Sequence, residues 1–214
     1  MDKNRIVQWA EWLCPHFDQR TAMFLIGGAA LVVSGHQVKT KDLDLVVRKE
    51  ADRQCLITVL KSIGYRVAGD GVEEQYDKPI ALRGEMGDVD VFVSRTTHFS
   101  LSATMVQRAT TLVQSGNGCI YVVSDQDILL LKSATGRRSD NHRIATILNS
   151  CEINWDDLIL ELQQQQFIGN HRVHFDLLQA FSEAEVLALI PDSVLEFLAV
   201  DVKGHVDQLL KDLL

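Results

Sequence analysis

Residues 24–47, FLIGGAALVVSGHQVKTKDLDLVV, constrain the fold more than any other stretch. An apolar run, Phe24 to Ile26, meets a glycine pair, Gly27-Gly28. Small apolar residues follow from Ala29 to Ser34, then a polar turn from Gly35 to Lys41. After it aspartate alternates with leucine: Asp42, Leu43, Asp44, Leu45. This order predicts a strand, a glycine turn, a helix from Ala29, a loop and a second strand. Successive strand residues point to opposite faces. Asp42 and Asp44 therefore share one face, and Leu43, Leu45 and Val47 take the other. Two carboxylates held this close repel each other, and a cation between them removes the repulsion. Such a strand either opens onto water or binds a divalent metal, and hard oxygen ligands suit Mg²⁺ or Mn²⁺. The glycine pair lets backbone N–H groups approach an anion. The positive end of the following helix favours an anion at the same place. A nucleoside triphosphate with its metal needs both halves.

The remaining chain supplies a third carboxylate. Residues 79–83 (PIALR) and 88–94 (DVDVFVS) read as two strands joined by Gly84 to Gly87, a hairpin. In the second, Asp88, Asp90 and Phe92 share a face opposite Val89, Val91 and Val93. Asp90 lies 46 positions beyond Asp44, so any meeting of the two is tertiary. Asp88 competes for the same role. Because it precedes the hydrophobic run, it belongs at the strand edge, and Asp90 is the better candidate.

Other elements follow from periodicity. Helices are predicted over 4–18, ending near Pro15, over 49–63, closed by Gly64, and over 102–115. Short strands are predicted at 65–68, followed by a Gly69-Asp70-Gly71 turn, and at 119–123. A helix over 126–135 leads to a basic polar turn, Gly136 to Asp140, and a further helix covers 141–150. Asn154 reads as the N-cap of another helix. Phe175 to Leu214 read as two or three amphipathic helices broken near Pro191. No strand pattern appears after 123. The expected organisation is an α/β core over 1–123 and a helical region over 124–214.

Composition sets outer bounds. The 214 residues are 46% hydrophobic and 23% charged, the balance of an ordinary globular chain with a substantial core. A net charge of −8 argues against broad non-specific nucleic-acid binding, though not against a local basic groove. The opening MDKNRIVQWAEW has no apolar core region, so no secretory signal is expected, and the longest apolar run, 23–33, is too short for a bilayer. Cys14, Cys55, Cys119 and Cys151 are widely spaced, with no CxxC. They are expected as reduced core thiols of a cytoplasmic protein without a zinc site. His171 and His174, three apart, lack a ligand framework, and Trp9, Trp12 and Trp155 are expected to pack.

Gly27-Gly28, then Thr40-Lys41-Asp42-Leu43-Asp44-Leu45, then Val89-Asp90-Val91 resemble the nucleotidyltransferase superfamily of the DNA polymerase β type. Asp127 to Asp140 resemble a segment of its minimal branch, which includes toxin–antitoxin members of the AbiEii kind. The likeness covers roughly residues 20–150. It implies a mixed sheet with flanking helices and transfer of a nucleotide from a nucleoside triphosphate to a hydroxyl. Asp42, Asp44 and Asp90 would hold Mg²⁺ or Mn²⁺. Gly27, Gly28, Thr40 and Lys132 would bind the nucleotide. The chain departs from the pattern at Arg143, where relatives often carry a second acid. RNA such as a tRNA end, a partner protein and a small molecule all remain open as acceptors, and the oligomeric state is unspecified. A binding module, acting as a toxin, antitoxin or regulatory partner with little turnover, is the alternative function. A scaffold with merely solvated acidic strands is a third.

Overall fold

The computed structural model describes residues 1–68, 79–96 and 99–213, with side chains to residue 204. Two compact units divide at Ser124, one of residues 1–124 and one of 125–214. The predicted Gly69-Asp70-Gly71 turn lies outside the described residues.

The first unit opens with α1 (Lys3–Leu13), capped by the Asp2 carboxylate, which accepts from Arg5 N at 3.0 Å. It buries Ile6, Trp9, Ala10 and Leu13, and Pro15 converts the chain to a 3₁₀ turn over Cys14–His16. Strand β1 (Thr21–Ile26) runs directly into α2 (Gly27–Ser34), two residues earlier than Ala29. Then come β2 (Asp42–Val47), α3 (Glu50–Ser62), β3 (Arg66–Val67), β4 (Ile80–Arg83) and β5 (Asp88–Val93). A two-stranded ribbon follows, β6 (Arg95–Thr96) with β7 (Phe99–Ser100).

The helix expected over 102–115 is a correction. Only α4 (Ala103–Arg108) is helical, and Thr110–Ser115 form β8 against β9 (Gly118–Val122). The β-branched Thr110, Thr111 and Val113 favour a pleated surface, and Gly116-Asn117 make the turn that returns the chain.

The sheet has the order β3-β4-β5-β2-β1-β9-β8. Its pairings are mixed: β2 with β5 and β1 with β9 are parallel, the rest antiparallel. This is the mixed sheet with flanking helices that was expected. Leu43, Leu45, Val89 and Val91 are fully buried on one face, each contributing about 1.5–3 kcal/mol by leaving water. That burial fixes the register, because a one-residue slip would turn every one of these side chains outward.

The second unit is helical among its described residues: α5 (Asp125–Ser133), α6 (Arg138–Ser150), α7 (Trp155–Phe167), α8 (Val173–Glu183) and α9 (Asp192–Leu213). Here too the turn is shorter than expected, since Arg138 to Asp140 already form the first turn of α6. Asn154 caps α7, accepting from Asp157 N at 3.1 Å. Ile128, Leu129, Leu158, Leu162, Leu177 and Phe181 make its core. The cysteines are free thiols; Cys14 and Cys119 are buried, while Cys55 and Cys151 are half-buried rather than core. No described helix is long and apolar enough to cross a membrane.

Candidate active site

Register assembles the acidic residues. Strands β2 and β5 pair in parallel with Asp42 opposite Asp88 and Asp44 opposite Asp90. Residues directly opposite in a sheet share a face. All four carboxylates therefore project from one side, and the buried valines and leucines between them project from the other. Strand β1 runs antiparallel to β2, with Ile26 opposite Asp44. The start of α2 thus arrives at the same end of the sheet as the aspartates.

The glycine pair is required by this closeness. Gly27 has φ +64°, which disfavours any residue with a Cβ. A Cβ there would overlap the Asp44 carboxylate and lie 2.9 Å from its Cγ. A Cβ at Gly28 would stand 2.7 Å from Thr40 Oγ1. Ile26 offers no side-chain cap. The Asp44 carboxylate thus lies against the first residue of α2, where the helix dipole favours a negative charge.

Thr40 supports Asp42. Its hydroxyl donates to Asp42 O at 3.1 Å and to Asp42 Oδ1 at 3.4 Å. Its own backbone is held by Met1, whose carbonyl accepts from Thr40 N at 2.8 Å and whose amine donates to Thr40 O.

Asp90 is more enclosed than its strand neighbour Asp88. Its side chain is 24% exposed, against 43% for Asp88. Oδ1 is buried, and no hydrogen-bond donor among the described residues reaches it. Arg83 Nη1 stands 3.7 Å from that oxygen, while Arg83 Nε lies 3.4 Å from Asp88 Oδ2. Burial pushes the Asp90 carboxyl above its ordinary range. Arg83 opposes the rise, and the charges of Asp42 and Asp88 add to it.

Lys132 belongs to the other unit, and its charge is engaged there. Its Nζ lies 3.3 Å from Asp140 Oδ1. The same oxygen receives Arg143 Nη1 at 2.7 Å, and Asp140 Oδ2 accepts from Thr135 Oγ1 at 2.6 Å. Arg143, the departure from the expected acid, thus pairs with the acid that remains. Arg83 escaped the sequence reading. The signal was present, because a hairpin about Gly84–Gly87 with Ala81 opposite Asp90 turns Arg83 toward Asp88.

A glycine-started helix beside a mixed sheet bearing paired aspartates defines a nucleotidyltransferase-type unit. A profile of the family described as "Nucleotidyltransferase of unknown function (DUF6036)" matches residues 4–185, and the chain belongs to that family. No curated protein matches the sequence. Among solved structures, an antigenic nucleotidyltransferase-like protein from Paracoccidioides brasiliensis is 18% identical, with 86% of this chain and 93% of that one covered and a TM-score of 0.47. JHP933 from Helicobacter pylori is 15% identical, covers 99% and 96%, and scores 0.45. ANT(2")-Ia, solved with adenylyl-2"-tobramycin, is 14% identical, covers 69% and 89%, and scores 0.46.

Proposed function

We propose that this chain moves a nucleoside monophosphate from a nucleoside triphosphate to a hydroxyl acceptor with a divalent metal at Asp42, Asp44 and Asp90. One observation carries the reading: Asp44, packed against Gly27, stands opposite Asp90, whose buried Oδ1 has no donor among the described residues. An orphaned carboxylate oxygen costs free energy unless a ligand completes it. Hard carboxylate oxygens fit Mg²⁺ or Mn²⁺. Bound there, the metal would neutralise the crowded acids, lower the pKa of the attacking hydroxyl and stabilise the departing pyrophosphate.

The chain's own groups do the rest. Gly27 and Gly28 offer backbone to the triphosphate at the start of α2. Thr40, expected among the nucleotide contacts, also steadies Asp42, to whose carboxylate its hydroxyl donates at 3.4 Å. The new bond joins the acceptor oxygen to the α-phosphorus, and the bond to the β-phosphate oxygen breaks with loss of pyrophosphate. The hydroxyl proton goes to the Asp90 carboxylate and then to water. Lys132, expected to offer its charge to the nucleotide, has Asp140 Oδ1 as an ion-pair partner at 3.3 Å.

The test is calorimetry with ATP, CTP, GTP and UTP, with and without Mg²⁺, on the wild type and on Asp44→Asn. Metal-dependent binding that Asp44→Asn abolishes supports the reading. Absence of metal-dependent binding in the wild type overturns it. Labelled triphosphates incubated with total RNA and with lysate protein then identify the acceptor class.

A further inference from the structure

Arg83 faces the acidic cluster from β4, and its guanidinium reaches two of the four carboxylates, Asp88 at 3.4 Å and Asp90 at 3.7 Å. The two contacts differ in kind. Asp88 is 43% exposed, and Arg83 meets it through Nε. Asp90 is more enclosed, and Arg83 comes within ion-pair range of Oδ1 without hydrogen-bonding it. The positive charge is therefore close enough to offset repulsion, yet it leaves the oxygen's lone pairs unused. An arginine fork can hold one carboxylate while its far end withdraws from another.

We propose that Arg83 is the site's own counter-cation, that it competes with the divalent metal for Asp90, and that Asp88 is the anchor to which it retreats. The proposal rests on the metal assignment above and adds a role for two residues that the assignment does not use. Without metal, Arg83 offsets the charge of Asp90. With metal at Asp90, two cations near one carboxylate repel, and Arg83 moves onto Asp88. The Asp88 carboxylate thus tunes metal affinity without ligating the metal.

The experiment is Mn²⁺ titration of the full chain, followed by the electron paramagnetic resonance signal of the free ion, for the wild type, Arg83→Gln, Arg83→Lys, Asp88→Asn and Arg83→Gln/Asp88→Asn. A half-exposed ion pair has a modest effect, so Arg83→Gln is expected to tighten Mn²⁺ binding about three- to fivefold. Asp88→Asn is expected to weaken it by a similar factor, because Arg83 then has only Asp90. In the Arg83→Gln background the same change should alter binding less than twofold. Non-additivity of this kind separates a specific exchange from general loss of charge, which would act equally in both backgrounds. Arg83→Lys keeps the charge but cannot span both carboxylates, and it is expected to move Mn²⁺ affinity away from the wild-type value. Additive effects, or Arg83→Lys equal to wild type, overturn the proposal. If Asp44→Asn still abolishes binding in that case, the metal assignment stands without it. A wild type that binds no Mn²⁺ overturns both.

Discussion

The Asp44 carboxylate fills the space that a side chain at Gly27 would occupy. Two requirements coincide at this glycine, a left-handed backbone at φ +64° and contact with an acid. Gly27→Ala is expected to destabilise the protein by about 1–3 kcal/mol, from the backbone and the displaced carboxylate together. It should also abolish metal-dependent triphosphate binding. Gly28→Ala should cost less, because its φ is not positive and its one close contact among the three nearest atoms is the Thr40 hydroxyl. Thermal melts of both variants check the order; equal losses would refute it.

Thr40 gives a separable prediction. It is 8% exposed, and its hydroxyl is the group that fixes Asp42. Thr40→Val keeps shape and removes the bonds, so stability should fall by about 1 kcal/mol. Triphosphate affinity in Mg²⁺ should fall several-fold as Asp42 loses its orientation. Thr40→Ser should restore both. If Thr40→Val leaves Mg²⁺-dependent binding at the wild-type level, the hydroxyl does not act on the site.

What the chain disclosed beforehand follows from the range of the forces involved. DLDLVV and DVDVFV were legible because alternation with buried leucine and valine leaves a strand one workable register. The common face of Asp42 and Asp44 was therefore readable, but their meeting with Asp88 and Asp90 depended on β2 and β5 pairing in parallel, which no local pattern encodes. Thr110–Ser115 were misread because a short run of mixed polarity fits a helix end and an edge strand equally well, and β9 decides between them. The pairing of Lys132 with Asp140 was not legible, because Asp140 lies beyond Gly136 and returns only when α6 folds back.

Asp140 makes that network measurable. Burial alone would raise its pKa. The Thr135 hydroxyl, the Lys132 charge and the Arg143 bond outweigh burial and hold the carboxyl below its ordinary range. A depressed folded pKa stabilises above the unfolded value and loses that effect as pH falls through the folded one. Wild-type stability should therefore decline below about pH 4, the ordinary aspartate range. Asp140→Asn should weaken this decline. At neutral pH it should cost about 2–3 kcal/mol, less than a fully enclosed pair because Arg143 is 34% exposed. Urea midpoints between pH 3 and 7 test both parts, and an unchanged acid slope in Asp140→Asn would remove the network from the explanation.

His174 predicts a pH dependence in a different range. It is 1% exposed on α8, with Nδ1 2.8 Å from Asp201 Oδ2 on α9 and its ring 5.3 Å from that of Phe197. Gln166 on α7 donates to both oxygens of Asp201 at 3.3 Å, so the carboxylate is shared. Burial lowers the His174 pKa, and Asp201 opposes the shift without cancelling it. The unfolded chain therefore takes up a proton that the folded chain resists. Stability is complete above the ordinary histidine value, about 6.5, and falls as pH drops below it. His174→Gln should flatten the curve between pH 7.5 and 5 while leaving the acid limb from Asp140 in place. Asp201→Asn removes the opposing charge and should steepen the fall. If urea midpoints of wild type and His174→Gln run parallel over this interval, the ring is not the titrating group.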